Sequence, residues 1–146
     1  MVSEKILLVD DEAGIRTSLT QVLADEGYEV EAVSSGEKGL ERLREETYHL
    51  VMLDVWLPRK DGLTVLEEIR AMGNEVPVLM ISGHASIDTA VRATKLGAFD
   101  FIEKPLSIEH TLLTARNALS HRRLEKTNDL LRHELEERFN IVGESI

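Results

Sequence analysis

Residues 50–62 read "LVMLDVWLPRKDG". Leu50, Val51, Met52 and Leu53 form a short apolar run, of the kind that makes a strand buried on both faces. It ends in a carboxylate, Asp54, with the large apolar Trp56 two residues beyond. An acid closing a buried strand needs a reason.

Similar runs recur on either side, separated by helical patterns. "KILLV" (5–9) reads as a first strand, and residues 14–26 follow with Ile15, Leu19, Val22 and Leu23 on one helical face before Gly27. "YEVEAV" (28–33) alternates as a second strand. Ser34 with Glu37 three residues later signals a capping box for the next helix. After the third strand (50–54), residues 63–72 carry Leu63, Leu66 and Ile69 at helical spacing and stop at Gly73-Asn74. "VPVLMIS" (76–82) is a fourth strand, Ser86 caps a helix running to Leu96 before Gly97, "FDFIE" (99–103) is a fifth strand, and Ser107 caps the last helix. Strict alternation of five β–α units predicts an α/β fold: a flavodoxin-like, doubly wound parallel sheet, order 2-1-3-4-5, with helices on both faces and a C-terminal helical extension.

Composition narrows the chemistry. The 146 residues contain no Cys, so disulfides, thiol chemistry and Cys-ligated zinc are excluded, and any metal must use oxygen or His ligands. A net charge of −10 disfavours direct nucleic-acid contact and suits a divalent cation. No stretch reaches the roughly 20 apolar residues of a membrane span, and the short, acid-flanked N-terminal run is no signal peptide. A cytoplasmic location is expected.

The polar residues fall in a pattern. Strand one ends at Asp10-Asp11, strand three at Asp54, strand four at Ser82, and strand five near Lys104. In open parallel sheets, ligands bind outside the carboxyl ends of the strands, near the point where strand order switches. That point gathers Asp10, Asp11 and Asp54, flanked by Ser82 and Lys104. Clustered carboxylates repel one another unless cations compensate, and an oxygen-only donor set suits Mg2+. Asp11 and Asp54 are expected as direct ligands, with the backbone carbonyl of Trp56 as another and Asp10 acting through water. Such a pocket supports phosphoryl transfer: Asp54 attacks phosphorus, Lys104 and the metal neutralise the phosphoryl oxygens, and Ser82 hydrogen-bonds the acquired group. Taken singly, each of these residues also reads as an ordinary turn, cap or surface residue; the weight lies in their joint placement at strand ends.

"ILLVDDE", "VMLDVWLPRKDG", "VLMISGHA" and "FDFIEKP" together resemble the signatures of two-component response-regulator receiver domains, over residues 4–119. The resemblance implies Asp54 as phospho-acceptor, Asp10 and Asp11 as the Mg2+ pocket, Ser82 as the switch hydroxyl, Lys104 as the family's lysine, a cis Lys104–Pro105 bond, and Phe101 at the aromatic switch position. It implies a sensor histidine kinase as phosphoryl donor, and a domain that catalyses only its own phosphorylation and slow dephosphorylation. Two departures stand out: Phe101 is often Tyr in the family, and Ser82 is often Thr. Trp56 and His84, each two residues past a site residue, are expected to hinder an attacking water and lengthen the phosphorylated lifetime.

"DVWLP", "ISGHASIDTAVRATKLGAFDFIEKP" and the terminal "IVGES" look like the NtrC/NtrX group of sigma-54-dependent activators. That implies a receiver over 1–120, a helical linker over 121–139, and the start of an AAA+ ATPase domain over 140–146, with a DNA-binding domain beyond. No P-loop is present, so this chain is not expected to hydrolyse ATP. Asn117, His121, Leu124, Asn128, Leu131 and Leu135 follow a heptad-like spacing, so a homodimer is expected through this seam and the 86–119 face. Particular residues oppose three rival readings. A haloacid-dehalogenase-type phosphatase needs an acid where Trp56 stands. A flavodoxin-like cofactor binder is opposed by the acidic "DDEAG" loop. A receiver-like interaction module that is never phosphorylated is opposed by the complete site set.

Overall fold

The computed structural model describes residues 3–84 and 86–142, with side chains through Leu124 and again at Leu131. Five strands, β1 (Lys5–Val9), β2 (Glu29–Val33), β3 (Leu50–Asp54), β4 (Val78–Ser82) and β5 (Asp100–Glu103), alternate with five helices. The helices are α1 (Ala13–Asp25), α2 (Gly36–Glu45), α3 (Gly62–Ala71), α4 (Ile87–Lys95) and α5 (Ile108–Val142). All strand pairs are parallel, in the order β2-β1-β3-β4-β5 expected from the alternation.

Side-chain parity along the strands builds two cores, one on each face. Ile6, Leu8, Leu50, Met52, Leu79 and Ile81 face Leu19 and Leu23 of α1 and Ala115, Ala118 and Leu119 of α5. Leu7, Val9, Val51, Leu53, Val78 and Met80 face Leu40 and Leu43 of α2, Leu63, Leu66 and Ile69 of α3, and Ala93 of α4. Successive residues of a strand point to opposite faces, so continuous apolar runs are needed on the central strands. The outer β2 is only partly covered and keeps its charged residues.

The expected cap of α2 is displaced by one residue. The cap of α2 is Ser35, not Ser34: Ser35 Oγ accepts from the Lys38 N–H at 3.2 Å. Glu37 therefore falls in the first turn, where its charge suits the helix dipole, rather than closing a capping box. Ser86 caps α4 through the Thr89 N–H, and Ser107 Oγ accepts from the His110 N–H at the start of α5. Gly27 and Gly97 follow the ends of α1 and α4 at φ of 94° and 96°, a region costly for any residue with a Cβ. β4 begins at Val78 rather than Val76, because Pro77 has no N–H to give the ladder.

α5 continues as one helix through Val142. Leu124 and Leu131 are exposed on it, and the His121 ring lies 5.5 Å from Phe99 of β5's approach. Arg123 Nε donates to Glu4 at 3.0 Å, fastening the helix beside the start of β1. The side chains of Asn128 and Leu135, and residues 143–146, lie outside the described residues. Among the described residues no helix is long and apolar enough to cross a membrane.

Candidate functional site: an acidic pocket at the carboxyl edge of the sheet

Asp10 follows β1 and Asp54 closes β3, and the two strands are adjacent. Asp10 is fully buried and Asp54 is 2% exposed. One reason Asp54 sits so firmly is the return of the chain behind it. The Gly62 N–H donates to the Val55 carbonyl at 2.8 Å, and a Cβ built on Gly62 would lie 2.1 Å from the Asp54 carbonyl oxygen. Only glycine fits that approach. Asp61 supports the same corner by capping α3 through the Thr64 N–H.

Carboxylate oxygens of Asp10, Asp11, Glu12 and Asp54 all lie within 4.8 Å of one another. Asp11 and Glu12 are exposed, so the cluster opens to solvent on one side. Lys104 reaches it from beyond β5, with Nζ 2.7 Å from Glu12 Oε1, 3.3 Å from Asp10 Oδ2 and 3.5 Å from Asp54 Oδ2. Its backbone is held by donation from the Lys104 N–H to the Ser82 carbonyl at 2.8 Å. The Lys104–Pro105 peptide is cis.

The charges are uneven. Burial, reinforced by the Asp10 carboxylate, pushes Asp54 up to about 6, against the pull of Lys104 and of the Trp56 N–H. Burial lowers Lys104, but Glu12, Asp54 and Asp10 outweigh it and hold the ammonium above the ordinary lysine value. Asp10 Oδ1 accepts the Glu12 N–H at 2.9 Å, while the buried Asp10 Oδ2 faces the Lys104 ammonium at 3.3 Å. Four clustered carboxylates that offer oxygen donors alone, with Lys104 the one cation paired to them among the described residues, fit a hard divalent cation.

The other expected residues are placed as follows. Ser82 closes β4, fully buried, and its Oγ accepts the His84 N–H at 3.1 Å. Trp56 is 54% exposed, and its N–H donates to Asp54 Oδ1 at 3.2 Å. His84 is exposed. Phe101 is half-buried on β5, packed against the core shared by α2, α3 and α4. The residue missed from the sequence is Glu12, which makes Lys104's shortest contact. It stands at the N-cap of α1, where Ser, Thr, Asp or Asn are favoured, but in the sequence it reads as one more acid after Asp10 and Asp11.

The chain matches the model of the response regulator receiver domain over residues 6–116. It is 38% identical over 146 residues to the nitrogen assimilation regulatory protein NtrX of Azorhizobium caulinodans, covering 99% of this chain and 32% of that one. Against the transcriptional regulatory protein ZraR of Escherichia coli K12 it is 40% identical over 116 residues, covering 80% of this chain and 26% of that one. This chain thus spans about a third or less of these relatives. The crystal structure of the receiver domain of NtrX from Brucella abortus superposes with a TM-score of 0.75 at 44% identity, covering 79% of this chain and 98% of that one. With the parallel five-stranded fold and the acidic pocket in place, these likenesses make the chain a member of the response regulator receiver domain family.

Proposed function

We propose that this domain takes a phosphoryl group onto Asp54 from a phosphohistidine of a sensor histidine kinase, with Mg2+ in the acidic pocket. The observation that carries this reading is the buried carboxylate of Asp54, held at a strand end among three other carboxylates and within reach of Lys104. Asp11, Asp54 and the Trp56 carbonyl would hold the ion directly, with Asp10 through water, and the ion would neutralise phosphoryl oxygens. An Asp54 oxygen attacks phosphorus; the new O–P bond forms as the N–P bond breaks, and the electron pair leaves with the imidazole, which is protonated in turn. A carboxyl group that titrates at about 6 is mostly the required anion at neutral pH. Lys104 takes another phosphoryl oxygen. Ser82, whose Oγ accepts from His84, keeps its own O–H to donate to the acquired group.

The half-buried Phe101 turns inward as Ser82 shifts, which reshapes the face built by α4, β5 and α5. Ile87 and Val91 on α4, and Ile108 and Leu113 on α5, are exposed and would supply apolar surface there. A homodimer through it and through the seam at His121, Leu124, Asn128, Leu131 and Leu135 would pass the signal to AAA+ ATPase and DNA-binding domains, in the cytoplasm. Residues 1–120 are then the receiver, 121–139 the linker, and 140–146 the approach to the ATPase. Exposed Trp56 and His84, each two residues past a pocket residue, would slow the hydrolysis of the phosphorylated form.

Incubation with Mg2+ and acetyl phosphate, followed by intact mass measurement beside Asp54→Asn, tests the assignment. The parent should gain one phosphoryl group and Asp54→Asn none. No gain in the parent, or an equal gain in the variant, would overturn it.

A further inference from the structure

Glu12 occupies the N-cap of α1, yet its side chain makes no capping hydrogen bond. Its carboxylate instead meets the ammonium of Lys104 at 2.7 Å, bridging residues 92 positions apart. Both buried aspartates stand farther from Nζ, at 3.3 Å and 3.5 Å. The Glu12 side chain is 59% exposed, whereas those of Asp10 and Asp54 are 0% and 3% exposed. The ammonium's shortest contact is therefore on the solvent side of the pocket, while it stays 3.5 Å from the carboxylate that would carry the phosphoryl group. Because the Lys104 backbone is pinned to Ser82, only the flexible stem has to move for the ammonium to change partner.

We propose that Glu12 is a positioning residue that competes with the phosphoryl group for Lys104. It holds the ammonium in the unphosphorylated domain and so weakens the contact that Lys104 makes with a phosphoryl oxygen. The inference rests on the phosphorylation reading of the same pocket. It gives Glu12 two effects of opposite sign. Its negative charge adds to the attraction for a divalent cation, while its hold on Lys104 opposes capture of the phosphoryl oxygens. A residue serving only the fold would not separate the two.

The test uses the whole chain and two probes, Mg2+ alone and beryllofluoride at saturating Mg2+, each followed by titration calorimetry. The emission of Trp56, the single tryptophan, is a second signal. Loss of a part-exposed ion pair corresponds to a change of roughly threefold in a binding constant. Glu12→Ala should bind Mg2+ about threefold more weakly and beryllofluoride about threefold more tightly than the parent. Glu12→Asp keeps the charge but shortens the reach, so Mg2+ affinity should stay near the parent's while beryllofluoride affinity rises. Unchanged or weaker beryllofluoride binding in both variants, with a parent that binds it, overturns the role of Glu12 alone. A parent that neither binds beryllofluoride nor acquires a phosphoryl group on Asp54 overturns the phosphorylation reading, and this inference with it.

Discussion

The two rims of the sheet handle charge in opposite ways. At the amino-terminal rim, Lys5 pairs with Glu46 at 2.7 Å and Glu29 at 3.5 Å. Arg42 pairs with Glu31 at 2.7 Å and Glu45 at 2.8 Å, and also meets Glu46. The Tyr48 hydroxyl donates to Glu31 at 2.5 Å, and Lys5 lies over the Tyr48 ring. These carboxylates belong to long, solvent-wetted glutamates that each find a cation. At the carboxyl-terminal rim, two short aspartates are buried, and one lysine serves three acids. The first rim is electrostatically finished. The second leaves more carboxylates than cations in contact with them among the described residues, an arrangement that favours binding of a further cation.

Removing the cation from each rim in turn would break the comparison most sharply. Lys104→Met strands Asp10 and Asp54 without a counter-ion, so unfolding free energy in EDTA at neutral pH should fall by about 3 kcal/mol. Added Mg2+ should restore most of it, as urea unfolding with and without the ion would show; an equal loss under both conditions would mean that the pocket recruits no cation.

Gly62→Ala should come next, at about 2–3 kcal/mol, because its Cβ would meet backbone at Asp54 rather than a side chain that can give way. The same measurements should find this loss insensitive to Mg2+.

Asp54→Asn should act in the other direction. The folded state holds the Asp54 proton more tightly than the unfolded chain does, with about 6 against 3.8. The stability this carboxyl contributes is therefore fully present below about pH 4 and is lost as pH rises through about 6. In EDTA at pH 7.5, Asp54→Asn should be more stable than the parent by about 2 kcal/mol, and the gain should vanish near pH 4. A gain that persists at low pH would assign it to packing rather than to charge.

The smallest effect belongs to the finished rim. Tyr48→Phe removes one hydrogen bond to Glu31 and should cost about 1 kcal/mol, with no dependence on Mg2+.

The architecture was legible in the sequence because its strands are continuous apolar runs between helical patterns, and a parallel sheet buried on both faces admits little else. The grouping of Asp10, Asp54 and Lys104, with Ser82 beside Lys104, was legible because strand ends converge at the switch point. What stayed hidden turned on single steps of register or on long-range pairing. Ser34 and Ser35 both fit a cap, and only the backbone geometry selects Ser35. Val76 continues the apolar pattern of β4 and is buried, but Pro77 ends the ladder before it. Glu12 looked like one more acid in "DDE" because nothing local reveals that its partner lies at Lys104. The steric demand at Gly62 was equally invisible, since "DG" marks a turn wherever it occurs.

The unbroken course of α5 has a mechanical consequence. The helix is seated on the sheet through Ala115, Ala118 and Leu119 and fastened by Arg123 to Glu4. From Leu124 to Val142 the same helix extends for about 27 Å at ~1.5 Å per residue. A rigid arm of that length turns a tilt of about 10° at its seat into a displacement of about 5 Å at its tip. Repacking too slight to alter the domain's outline would thus be magnified where the chain leaves it.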